Sequence, residues 1–352
     1  MVGQEARIIW WQRHSHQRFG VHHGRQPVAK VALSCRQFCR RKRLASQAHG
    51  RKLAMADAAL IERLKNVRGV MFDIDGCLVI SDGPAGQDGR VLDGAIEALR
   101  YVRDSGRVLC VFTNGTAQSP GDIAAHLRSM GIEVGDEEVF TPSVVAATVL
   151  KRKYPDDQIM VFGGPGMLED FHKRDVNLVD LDKAMAGEKF DTKAVMVGWD
   201  TDFGRSKLQI AAEALLAGAE LYCASDAPFF ASNNRLNVGV SGFIAAGLEY
   251  VSGQPREVLG KPSHYSMQVI SEYLGHASSE ILVIGDDIML ESKMARESGA
   301  VAGLVTTGTS SAEDAASCAP EIKPELVVSN MFELIDLLTQ ADASPHAKGI
   351  TP

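Results

Sequence analysis

The sequence has no run approaching 18 consecutive apolar residues, so no segment reads as a membrane-spanning helix. Cysteine is scarce: Cys35, Cys39, Cys77, Cys110, Cys223 and Cys318 are scattered and form no paired CxxC unit. That pattern argues against a zinc site or a disulfide framework and favours a reducing, intracellular setting. Acidic side chains are nearly missing from residues 1–55, which carry twelve Lys or Arg and one acid, Glu5. The remaining residues carry 25 basic and 43 acidic side chains, so a net charge of -7 conceals a basic end and an acidic body. Such a body repels nucleic-acid phosphates. A small anion can still bind in a local pocket built from amides, one lysine and a metal ion.

What remains is ordinary globular material, with 45% hydrophobic and 23% charged residues. A length of 352 residues predicts two domains plus tails. Residues 1–55 stand apart, holding half of the ten histidines, the Trp10-Trp11 pair and the run Arg40-Arg41-Lys42-Arg43. Three readings compete for them. An Arg-rich, acid-poor leader is like an organellar transit peptide, the basic run is like a polyanion patch, or Met55 is the true start. In each version the segment is expected to be disordered and without a catalytic part.

Beyond residue 57, strand and helix patterns alternate. Apolar runs at 67–72, 108–112 and 281–284 read as buried strands ending at Asp73, at Thr113-Asn114-Gly115 and at Gly285-Asp286-Asp287. Helices are expected at 93–105 and 120–130, the second opened by Pro120 and closed by Gly131. A helix through Met294, a strand at 300–305 and a final unit at 326–338 follow. This repetition predicts an α/β fold with a parallel sheet covered on both faces, and ligands at the carboxyl ends of the strands. The middle alternates too, with strands at 158–162, 194–198 and 221–224 and helices at 205–216 and 241–251. Thr113 and Lys261 are 148 positions apart, and a βα unit takes about 30 residues. We therefore expect a core domain from 56–142 and 259–340, an inserted α/β cap domain at 143–258, and a flexible tail at 341–352.

The strand ends carry the chemistry-bearing residues. Asp73-Ile74-Asp75-Gly76 follows a buried strand directly. Two carboxylates one residue apart can divide the work of phosphoryl transfer, Asp73 attacking and Asp75 protonating the leaving group and later activating water. The bland alternative is a turn or a fragment of a calcium loop, whose pattern Cys77 and Val79 break. Thr113, Asn114 and Gly115 offer a hydroxyl, an amide and exposed backbone N–H groups for phosphate, or merely a capped polar turn. Lys261, in Gly260-Lys261-Pro262, could offset the repulsion between Asp73 and a phosphoryl group, and no GxxxxGK[ST] precedes it. Asp286, with Asp73 and the carbonyl of Asp75, would make an octahedral Mg2+ site, with Asp287 and Glu291 as supporting acids. Asp286-Asp287 could equally cap the following helix.

In the order FDIDG, FTNG, GKP and IGDD, the sequence resembles the haloacid-dehalogenase-like (HAD) hydrolase superfamily across residues 67–338. It looks most like subfamily IIA, which holds p-nitrophenylphosphatase, nucleotide phosphatase and phosphoglycolate phosphatase relatives. The resemblance implies a Rossmann-like HAD core, with Asp73 as nucleophile, Asp75 as acid/base, Thr113 and Asn114 as phosphate binders, Lys261 as charge stabiliser and Asp286 as Mg2+ ligand. It implies a cap inserted after Thr113, and self-association through that cap.

Two positions depart from the family's pattern. Relatives usually carry Thr-Asn-x-Asp at the end of a cap strand, where this chain has Ala224-Ser225-Asp226-Ala227 and an altered loop through Asn233-Asn234-Arg235. Ser225, Asp226 and Trp199 are the substrate-pocket candidates. The last acid of the metal motif, normally Asp, is Glu291, which could weaken or reposition metal support. Gly163-Gly164-Pro165-Gly166 reads as a cap turn, and the histidines outside the leader show no ligand spacing.

The expected activity is Mg2+-dependent hydrolysis of a small phosphorylated metabolite through an aspartyl-phosphate. A phosphotransferase or phosphomutase would use the same residues, and a binding protein with a HAD fold is the non-enzyme alternative. Dehalogenase chemistry needs neither Asp75 nor a metal ligand. The expected location is the cytoplasm, or an organelle if residues 1–55 are a transit peptide.

Overall fold

The computed structural model describes residues 58–80, 89–230 and 237–344. The expected leader at 1–55, the loop through Asn233-Asn234-Arg235 and all but the start of the 341–352 tail lie outside the described residues.

Six parallel strands form the main sheet, in the order Leu326–Val328, Val301–Val305, Ile281–Gly285, Gly69–Asp73, Val108–Phe112 and Val139–Phe140. Most are apolar end to end, as strands covered on both faces must be. Gly69–Asp73 is central. Its Phe72 lies opposite Ile284 on one side and Val111 on the other, and Asp73 lies opposite Phe112. The loops that start at Asp73, Thr113 and Asp286 therefore leave the sheet side by side.

Alternate residues of the central strand face two separate cores. Val70 and Phe72 pack with Leu282, Ile284 and residues of the helices Ala95–Asp104 and Met331–Ala343. Met71 packs on the other face, with Cys110, Phe112, Val283 and the helices Pro142–Lys153 and His264–Leu274. This second cluster also contains Val161, Met196 and Tyr222, which belong to another sheet. One hydrophobic cluster thus spans both sheets, through the Pro142–Lys153 helix.

That other sheet has four parallel strands, in the order Arg256–Val258, Glu220–Cys223, Ala194–Val197 and Ile159–Phe162. The helices Arg205–Leu216 and Val240–Ser252 cover its far face, where Val195, Val197 and Leu221 pack with Ile210, Leu215 and Leu248. It sits between the two crossings of the chain out of and back into the main sheet, and we refer to it as the cap.

Most long periodic elements fall within a residue or two of their expected ends, and the Arg205–Leu216 helix matches its expected bounds; the final helix instead runs on past 338 to Ala343, into the start of the expected tail. Shorter ones carried too little pattern. Val139–Phe140 has only two residues, and Arg256–Val258 brings two charges to a half-buried edge strand. Gly163-Gly164-Pro165-Gly166 is the start of the Pro165–Lys173 helix, with Gly164 as N-cap and Pro165 in its first turn. No helix among the described residues is long and apolar enough to cross a membrane.

Candidate active site

Asp73 is the last residue of the central strand and is buried. The chain turns at once: Gly76 N donates to Val79 O (2.7 Å) and Leu78 N to Ile74 O (3.0 Å), closing a tight loop that carries the half-buried Asp75. Asp75 Oδ2 accepts a long hydrogen bond, 3.4 Å, from Thr113 Oγ1 at the end of the neighbouring strand. Thr113 Oγ1 also accepts from Gly115 N at 3.1 Å.

Lys261 reaches this place from 188 positions away. Its Nζ donates to Asp73 Oδ1, to Phe112 O at 2.9 Å and to Glu291 Oε1 at 2.7 Å, and its side chain is 1% exposed. Burial opposes a charged ammonium, but the carboxylates of Asp73 and Glu291 outweigh it and hold the Lys261 pKa above the usual lysine value. The group is therefore an ammonium at any physiological pH.

Asp286 follows the Ile281–Gly285 strand, the direct neighbour of the strand that ends in Asp73. Its Oδ2 accepts from Thr309 N at 2.5 Å, and its carbonyl accepts from Ser310 N at 2.9 Å. Thr307 Oγ1 donates to Gly76 O at 2.5 Å, which ties this same loop to the Asp75 turn. Gly308 lets the loop close: a Cβ there would overlap the Asp286 carboxylate. The Thr306-Thr307-Gly308-Thr309-Ser310 loop was missed in the sequence. Its signal was present, since it puts hydroxyls and a glycine just past a strand end, as Thr113-Asn114-Gly115 does.

Other expected residues sit differently. Asn114, expected among the phosphate binders, directs its side-chain amide to the Lys261 backbone: Oδ1 accepts from Lys261 N at 2.9 Å and Nδ2 donates to Lys261 O at 3.0 Å. Asp287 caps the next turn, its Oδ1 accepting from Met289 N at 2.8 Å. Glu291, expected to support a metal, has its Oε1 2.7 Å from Lys261 Nζ. Ser225, expected in the substrate pocket, is buried, and its hydroxyl accepts from Ala227 N at 3.2 Å. Asp226 is exposed at the cap strand's end and pairs with Arg256 at 2.9 Å. Trp199 is half-buried where cap meets core, its N donating to Thr116 Oγ1 at 3.1 Å. A cavity of about 510 Å³ in the cap, lined in part by His172, Asp200 and Lys207, includes none of these site residues.

The electrostatics define what the place can hold. Burial pushes Asp73 well above the ordinary carboxylate range; Lys261 opposes this, while Glu291 and Asp286 add to it. Burial also raises Asp286, with help from Glu291 and Asp287, to about 7 against the opposing Thr309 amide. Neighbouring carboxylates that destabilise one another as anions, with only oxygen to offer, suit a hard divalent cation such as Mg2+. Among the described residues no three His, Cys, Asp or Glu side chains are arranged as metal ligands. The fit therefore rests on two carboxylates with main-chain oxygen, and Mg2+ habitually completes such a set with water.

Comparison with known proteins gives the family. Residues 70–177 match the family model described as haloacid dehalogenase-like hydrolase, and residues 258–334 match a model described as HAD-hydrolase-like. The phospholysine phosphohistidine inorganic pyrophosphate phosphatase of Bos taurus is 30% identical over 286 residues, spanning 80% of this chain and 98% of that one. The structure of hypothetical protein PH1952 from Pyrococcus horikoshii OT3 superposes with a TM-score of 0.69 at 27% identity, covering 77% of this chain and 99% of that one. A glycerol phosphate phosphatase from Mycobacterium tuberculosis, in complex with magnesium, shares the fold with a TM-score of 0.67 at 24% identity, covering 78% of each chain. The chain belongs to the haloacid dehalogenase-like hydrolases, in subfamily IIA, and is a phosphatase of that type.

Proposed function

We propose that this phosphatase is a Mg2+-dependent phosphomonoester hydrolase that takes the phosphoryl group of a small phosphorylated metabolite onto Asp73. The observation that carries this reading is the Lys261 ammonium held against Asp73, with Asp286 at the end of the adjacent strand. An Asp73 carboxylate oxygen attacks phosphorus and the bond to the leaving oxygen breaks. Asp75 gives that oxygen its proton, then takes one from the water that attacks the aspartyl-phosphate. Lys261 offsets the negative charge brought together by the carboxylate and the phosphoryl oxygens. Asp73, Asp286 and the Asp75 carbonyl would hold Mg2+, which when bound neutralises charge on the phosphoryl oxygens. The magnesium complex named for the M. tuberculosis structure supports that choice of metal.

The class of substrate rests on the names of similar proteins, which act on phospholysine or on glycerol phosphate. Trp199, whose N bonds to Thr116, and Asp226, at the end of a cap strand, are the side chains we assign to substrate choice. The unpaired, buried Cys77, Cys110 and Cys223 fit the reducing cytoplasm.

The test is hydrolysis of p-nitrophenyl phosphate by wild type and Asp73→Asn, with Mg2+ and with EDTA. Wild type is active only with Mg2+, and Asp73→Asn is inactive; activity retained by the variant would end the mechanism. Release of phosphate carrying label from 18O-water separates hydrolysis from transfer to a second metabolite.

A further inference from the structure

Glu291 is the last acid of the expected metal motif, yet its carboxylate is committed to Lys261 and to the backbone. Oε1 pairs with Lys261 Nζ at 2.7 Å, and Oε2 accepts from Asp287 N at 3.2 Å. The side chain is 1% exposed. An ammonium has three N–H donors. Those of Lys261 go to Asp73, Phe112 O and Glu291, so Glu291 is one of the three points that fix the lysine.

The backbone is shaped for this contact. Ile288–Ser292 forms a π-helical turn, a rare form that collects at functional sites. Asp287 caps it through Met289 N, and Glu291 N donates to Asp287 O at 3.1 Å. The turn folds Glu291 against Gly285, where a Cβ would overlap the Glu291 carboxylate. An aspartate at 291 is one methylene shorter and cannot span the same path to Lys261.

We propose that Glu291 is a positioning residue for Lys261 and not a metal ligand; this rests on the hydrolase reading above. With a carboxylate on each side, the ammonium is shared between Asp73 and Glu291. Without Glu291 it collapses onto Asp73, ties up the nucleophile, and turns away from the incoming phosphoryl oxygens.

The test compares full-length wild type with Glu291→Gln, Glu291→Asp, Lys261→Met and the Lys261→Met/Glu291→Gln double variant. Mg2+ binding is read by calorimetry, kcat and KM with p-nitrophenyl phosphate, and folding by thermal melts. Both Glu291 variants bind Mg2+ within about twofold of wild type, and both lose about tenfold or more in kcat with little change in KM. Glu291→Asp is not rescued, because its carboxylate is one methylene short of Lys261. In the Lys261→Met background, Glu291→Gln costs no more than about twofold, because residues acting through one group are not additive. The proposal is overturned if Glu291→Gln weakens Mg2+ tenfold and recovers turnover at saturating metal. It is also overturned if the tenfold loss persists without Lys261. Should Glu291→Gln not fold, Glu291→Asp makes the same comparison. A wild type that binds no Mg2+ refutes the hydrolase reading itself; loss of Mg2+ binding confined to the Glu291 variants refutes only this assignment.

Discussion

Asn114 and Lys261, 147 positions apart, pair like residues of neighbouring strands: the Asn114 side-chain amide accepts from Lys261 N at 2.9 Å and donates to Lys261 O at 3.0 Å. A side chain here stands in for a strand ladder and fixes the main chain that carries the ammonium. Asn114→Ala leaves a part-buried N–H and C=O unpaired, a loss of about 2 kcal/mol in stability. Denaturant unfolding measures it. The same variant lowers kcat about tenfold with little change in KM, since the lysine is misplaced and not removed. A rise in KM alone would mean that Asn114 grips phosphate directly.

Asp75→Asn separates the two halves of the reaction. p-Nitrophenolate leaves without needing a proton, so the variant forms the phosphoenzyme and then stalls. A burst of one p-nitrophenolate per enzyme is expected, with steady turnover down by about 10²–10⁴-fold. Intact-mass measurement shows the added phosphoryl group on stalled protein. Undiminished steady turnover would remove Asp75 from the acid/base role.

Gly308→Ala tests Asp286 from a distance, because the added methyl overlaps the Asp286 carboxylate. Mg2+ affinity is expected to fall about tenfold, an effect typical of disturbing the groups that orient a metal ligand. Calorimetric titration reads it directly. Unchanged affinity would show that the metal does not use Asp286.

Acidity affects the metal-free protein in an unusual direction. Burial and mutual repulsion raise Asp73, and raise Asp286 to about 7; burial, against Arg174 and Lys173, raises Asp170 to about 6. With folded pKa values above the unfolded one, the folded state binds more protons across this window. Stability therefore falls as pH rises from about 4 toward 7. Melts in EDTA are expected to drop in temperature between pH 5 and pH 7.5. Added Mg2+ displaces the protons on Asp73 and Asp286 and reverses the trend, more strongly at the higher pH. A metal-free melting temperature that climbs over the same range would contradict this.

Much of the site was legible because each apolar run stops at the residue that bears chemistry: Asp73 ends a buried strand, and Thr113 and Asp286 each follow one. Periodicity reports burial, and burial located the strand ends. It reports nothing about which side chains meet across 147 or 188 positions: the approach of Lys261 to Asp73 was legible only from the motifs, and the pairing of Asn114 with the Lys261 backbone had no signal at all. The same limit hid the contact of Glu291 with Lys261, whose direction depends on a π-helical turn that no residue pattern announces. The Val139–Phe140 strand escaped for a simpler reason, since two residues contain no period.

The cap's ladder of hydrogen bonds does not stop at its last strand. Leu259 N donates to Cys223 O at 2.9 Å and Gly260 N to Ala224 O at 3.0 Å, one residue before Lys261. The lysine is thus tethered to the very sheet that ought to choose the metabolite. A mutation that tilts that sheet shifts positive charge at the phosphorus atom, so attempts to re-target this enzyme through its cap will alter its speed along with its selectivity.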